Sequence, residues 1–121
     1  MSPTVENPLV SVGHQEGLPA FEIHVDGSGQ PAGFTQFVDV EHDSVTQRIF
    51  PHTSVKDEFS GQGLASVLVK GALDQTIADG IRIVPVCPYV AAWLKRHEDY
   101  AEHADRVSTR HLEALKSAVR G

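Results

Sequence analysis

The stretch Ser60-Gly61-Gln62-Gly63-Leu64-Ala65-Ser66, SGQGLAS, sets two glycines one residue apart directly ahead of an apolar run. Leu64, Val67, Leu68, Ala72, Leu73 and Ile77 recur at helical spacing, which predicts a helix over residues 63–79, ended by Asp79-Gly80. A glycine turn that enters a helix leaves the first N–H groups without carbonyl partners, and such a group of N–H dipoles can hold an anion. A dinucleotide fingerprint is excluded, because Ser66 stands where its third glycine belongs and too little chain follows for a full Rossmann unit. A Walker-type loop is excluded too, since no Gly-Lys-Ser/Thr follows. A plain strand-to-helix connector and an anion cradle both stay open at this point.

Upstream, residues 21–25 (FEIHV) alternate apolar and polar as a half-buried strand does, and residues 26–31 (DGSGQP) are dense in turn formers. Residues 32–40 and 44–55 read as second and third strands of an antiparallel meander. Downstream, residues 81–87 (IRIVPVC) read as a buried strand and residues 89–97 as a helix with Pro88 in its first turn. Residues 97–105 are polar and carry no clear period, and Val107, Leu112, Leu115 and Val119 mark a C-terminal amphipathic helix. The order β-β-β-α-β-α-α makes the third and fourth strands a parallel pair joined by a helix. The expected fold is α+β: a mixed, mostly antiparallel sheet with one parallel βαβ pair and flanking helices. Residues 1–19 read as an N-terminal arm or edge segment, and residues 20–121 as a single domain.

Sixteen acidic against ten basic residues give a formal charge of −6, which argues against a nucleic-acid-binding module. The most apolar segment is broken by Arg82, Pro85 and Pro88, so no membrane span is expected. The N-terminus carries neither a basic leader nor an apolar core, and the single cysteine, Cys87, excludes an internal disulfide; a cytoplasmic location is expected. The cluster His97, Glu98, Asp99, Glu102, His103 matches no zinc spacing, and a solvated surface is the expected reading, with no metal.

Three motifs in order, His52-Thr53-Ser54-Val55, the glycine turn, and Cys87-Pro88-Tyr89-Val90, resemble the GNAT superfamily of N-acetyltransferases, in particular its small YjdJ-type branch that includes the N-acetyltransferase domain-containing proteins. The resemblance covers roughly residues 20–100. It implies that Ser60, Gly61, Gln62, Gly63, Leu64 and Ala65 bind the pyrophosphate of coenzyme A, and that free backbone groups near Val55 bond the pantetheine arm. Gly63 and Ala65 occupy the family's two small positions, whereas Ser60 stands where an arginine or glutamine is usual. A tyrosine that often serves the family as general acid is replaced here by Leu94. The implied co-substrate is acetyl-CoA and the implied partner an unidentified amine, with the protein a monomer or weak homodimer.

The residues carry a physical case beside the name. Ligands of sheets with parallel strands bind beyond the strands' carboxyl ends. His52 lies near the end of the third expected strand, Cys87 at the end of the fourth, and the glycine turn just past the former. Pro51 cannot donate to a ladder, so a bulge or an unpaired gap is expected there. His52 is the expected general base, against the alternative of a histidine that merely bonds the bulged strand. Cys87 is expected to protonate the departing thiolate or to carry the acyl group, against the alternative of a small buried hydrophobe. Backbone N–H groups of the opened strand would supply the oxyanion hole. Two other functions compete: a non-catalytic acyl-CoA-binding module, and an interaction domain with no coenzyme A at all.

Overall fold

The computed structural model describes residues 3–120; Met1 and Ser2 of the expected arm and Gly121 of the expected domain lie outside the described residues. Seven strands form two sheets. The first, in the order β1-β2-β3-β6, is antiparallel throughout and comprises Leu9–Gln15, Leu18–His24, Gly33–Gln36 and Thr53–Val55. The second, in the order β4-β5-β7, comprises Val38–His42, Val45–Ile49 and Arg82–Val84, with β5 and β7 parallel. This is the mixed architecture expected, with helices α1 (Leu64–Ala78), α2 (Pro88–Lys95), α3 (Glu98–Ala101) and α4 (Thr109–Arg120) around it.

Part of the stretch expected as an arm or edge segment is the edge strand β1, and Leu18 and Pro19 already belong to β2. The hairpin between them turns on Glu16 and Gly17, both at positive φ, which suits the right-handed twist of the flanking strands. Asp43 and Ser44 do the same for β4 and β5. The second turn falls at the break expected between residues 40 and 44, whereas the first, without the usual Asn-Gly signal, does not stand out in the sequence.

The two long expected strands each change sheets midway. Thr35 pairs with Thr53 and Val38 with Ile49, so two residues, Gln36 and Phe37, oppose three, Phe50, Pro51 and His52. That extra residue is a bulge at Pro51, as its missing N–H demanded. Around it the hydrogen bonds divide. The Phe50 N–H donates to Val84 O and Phe50 O accepts from Cys87 N, while His52 O accepts from Gln36 N. Phe37 N–H turns instead to Pro19 O. The ladder of β5 with β7 therefore ends at the bulge, and β6 departs with the first sheet.

Helix α1 closes one face of both sheets. It buries Leu64, Leu68, Val69, Ala72, Leu73 and Thr76 against Phe21, Ile23, Phe37, Phe50 and Ile83, with Val90, Trp93 and Leu94 of α2 in the same core. Val67, expected on this face, is exposed, and Val69 takes its place. Arg48 reaches the same layer, paired with Asp39 at 2.8 Å and lying 4.6 Å over the Phe37 ring. The C-terminal helix corrects a second expectation. Val107, Leu112 and Val119 stay largely exposed, and among the described side chains of α4 the buried one is His111. Residues 103–105 run beside β7 through Ile83 N–H to His103 O and Asp105 N–H to Ile83 O. No described helix is long and apolar enough to cross a membrane.

Candidate active site

The glycine turn keeps its amides free. Gly61 and Gly63 sit at φ of 79° and 73°, and Gly63 is the N-cap of α1 with no side-chain cap. Among the described residues no acceptor takes the N–H groups of residues 61–66. A helix leaves only its first turn orphaned; here two glycine-bearing positions before it add to that set. Ser66 would be able to fold back as a local acceptor, but its Oγ is held by the Trp93 indole N–H at 2.9 Å. The same bond fixes the first turn of α1 against α2. Ser60, Gly61, Gln62 and Gly63 are exposed, Ala65 is half-buried, and Leu64 points into the core.

The free edge of β6 faces the same opening. Lys56 N–H donates to Ala32 O and His52 O accepts from Gln36 N, so residues 52, 54 and 56 direct their main-chain groups toward β3. Antiparallel alternation then aims the N–H and C=O of Thr53 and Val55 away from β3, across the split between the sheets. Gly33 makes this close pairing possible: a Cβ there would lie 2.7 Å from Ser54 O.

Cys87 stands on the other side of the split, as N-cap residue of α2 and 4% exposed. Its thiol donates to Thr53 Oγ1 at 3.4 Å, and that hydroxyl is also 2.9 Å from Thr35 Oγ1. Thr53, which sequence reasoning misses, is thus the side chain that joins β6 to Cys87. Its only signal in the sequence is its place one residue beyond His52 on an alternating strand. His52 itself points the other way. It is exposed, with its ring 5.9 Å from Phe34 on the opposite face of the sheet. His52 and Cys87 therefore flank the split from two faces, with no hydrogen bond between them.

The remaining residues have structural places. Trp93 and Leu94 are buried in the core, and Lys95 and Arg96 are exposed. His97 stacks on Trp93 at 3.7 Å between ring centroids. Tyr100 donates its O–H to Asp74 at 2.7 Å, and that bond holds its phenol above the ordinary value. No group of three or more metal-ligating side chains is gathered among the described residues.

Residues 20–103 match the family model described as GCN5-related N-acetyltransferase. The chain belongs to this family. A GCN5-related N-acetyltransferase is an acyltransferase. The fold is similar to that of a GCN5-like protein from Staphylococcus aureus, named as a candidate N-acetyltransferase and solved by NMR. The TM-score is 0.54 at 18% identity, over 84% of this chain and 93% of that one. No curated protein matches the chain.

Proposed function

We propose that the protein transfers an acetyl group from acetyl-CoA to an amine, with residues 20–121 as the catalytic domain behind the N-terminal segment 1–19. The observation that carries this is the pairing of unbonded amides at residues 61–66 with the unpaired edge of β6. A doubly charged pyrophosphate suits the first set, and the two amides of a pantetheine arm suit the second. Ser60 through Ala65 would hold the pyrophosphate, largely by main chain, which makes the absence of an arginine or glutamine at Ser60 tolerable. Val55 and Thr53 would bond the arm, leading its thioester toward Cys87.

The chemistry then divides between the two faces. His52 accepts the amine's proton as the nitrogen closes on the thioester carbon from the exposed face. Free main-chain N–H groups of the opened strand stabilise the charge on the carbonyl oxygen. The carbon–sulfur bond breaks, and the Cys87 thiol gives its proton to the departing sulfur, recovering one through solvent from His52. In the second role open to Cys87, it takes the acetyl group as a thiolate and passes it on. The protein would work in the cytoplasm as a monomer or weak homodimer.

Calorimetric titration with acetyl-CoA, with NAD and ATP as controls, tests the first half. Selective binding that is lost in Gly63→Val supports the cradle; no binding of acetyl-CoA sinks the reading. His52→Ala and Cys87→Ala then separate enzyme from binding module. An active protein loses turnover in at least one while keeping its affinity for acetyl-CoA. Retained turnover in both would refute the roles of base and proton donor. The alternative, a non-catalytic acyl-CoA-binding module, rests on Leu94 in place of the family's tyrosine and predicts binding with no turnover on any amine.

A further inference from the structure

The face of the first sheet that carries His52 also carries a carboxylate without a full set of partners. Strand alternation puts Glu22, Phe34 and Ser54 in one row across β2, β3 and β6 on this face. Glu22 folds over Gly13 of β1, where a Cβ would collide with its carboxylate. Its Oε2 accepts from Gln15 Nε2 at 2.6 Å, whereas Oε1 has only His24 Nε2, at 3.6 Å and beyond hydrogen-bond distance. No buried side-chain oxygen among the described residues lacks a partner, so this unbonded Oε1 reaches solvent.

From these observations we propose that this face binds a small aliphatic polyamine, one ammonium on Glu22 and a second amine at His52, with the methylenes laid over Phe34. The inference rests on the acetyl-transfer reading for the role of His52, but the carboxylate and ring stand without it. Ser54 lies straight across from Glu22 and His52 two residues further along, so the two nitrogens would be separated by two strand spacings across and two residues along, about 12 Å. A monoamine can reach only one of the two groups. Lys56 lines the opposite rim of a hollow of about 130 Å³ beside Phe34. Its charge directs a dication away from that rim and along the diagonal to His52. The formal charge of −6 favours approach of such a cation from solution.

Spermidine and n-hexylamine are the probes. The first measurement is an NMR titration of the protein without acetyl-CoA. Spermidine should shift the backbone resonances of Glu22, Phe34 and His52, saturating at a concentration on the order of tenfold below hexylamine. Glu22→Gln should bring that ratio toward one, and Glu22→Asp, which keeps the charge, should hold part of it. In acetyl transfer the ratio of the two KM values should collapse in the same variant. Equal affinity for the two amines, a ratio indifferent to Glu22→Gln, or marked preference for a lysine peptide over spermidine would each overturn the proposal. Failure to bind acetyl-CoA would sink the transfer reading and leave the titration result standing.

Discussion

Thr53 has two partners, Cys87 and Thr35, and the second is fully buried. In Thr53→Val the Thr35 hydroxyl loses its side-chain partner without gaining water, a loss of about 1–3 kcal/mol that denaturant unfolding would register. The same change frees the Cys87 thiol, so modification by a thiol reagent in the native state should speed up. An unchanged rate would mean that burial, and not the hydroxyl, governs its access. Gly63 makes a different demand. A Cβ there meets nothing within 4 Å, so a valine side chain would extend into the open space of the cradle without striking the protein itself. The positive φ is what a side chain resists, at about 1–2 kcal/mol. Gly63→Val should therefore lower the midpoint of thermal unfolding slightly and the acetyl-CoA affinity much more; equal losses of both would point to global destabilisation.

At the scale of elements, α4 is held less by its apolar residues than by one polar chain. Ser108 N–H donates to His111 Nδ1, which assigns the proton to Nε2, and Nε2 donates to Gln47 Oε1 at 2.9 Å. Gln47 Nε2 passes the chain to Asp105, which Arg82 also binds. Burial lowers the His111 value, and Arg110 and His42 push the same way, while Asp105 opposes them. Neutral His111 therefore lends α4 stability that is complete above the ordinary histidine value, 6.5, and is lost as pH falls from there through the lowered folded value. Hydrogen exchange between pH 7 and 5 should show α4 losing protection ahead of α1. Parallel loss in both helices would show that α4 is not separately anchored. The Arg82 hydrogen bond lowers Asp105, and its share persists above 3.8, so it does not disturb that window.

Across the whole molecule, two sheets share one core. Leu68 of α1 is fully buried among residues of both, beside Phe21 of β2 and Ile83 of β7. Both sheets close on this one core, which α1 fills together with Val90, Trp93 and Leu94 of α2, so the sheets should unfold together. Leu68→Ala should remove about 2–5 kcal/mol, and tryptophan fluorescence from Trp93 should change in one transition with far-ultraviolet circular dichroism. Two separated transitions would show that each sheet stands alone.

Local pattern was enough for the helix at 64–78, the helix after Pro88, the parallel pair and the gap at Pro51. Each follows from nearest neighbours along the chain: an apolar period, a fixed proline φ, a missing N–H, a pair of glycines ahead of a helix. The change of sheet at Phe37 and Phe50 was not legible, because β3 and β4 share one uninterrupted β-forming run and differ only in which distant strand they meet. For the same reason His52 and Cys87 read as neighbours at one edge. Strand alternation decides that they flank the opening from opposite faces, with Thr53 between them. His111 inverted the expected face of α4 because its burial depends on Gln47, 64 residues away in sequence, supplying the partner that an isolated helix lacks. Sequence specified the parts and their order; long-range pairing decided which backbone groups were left free.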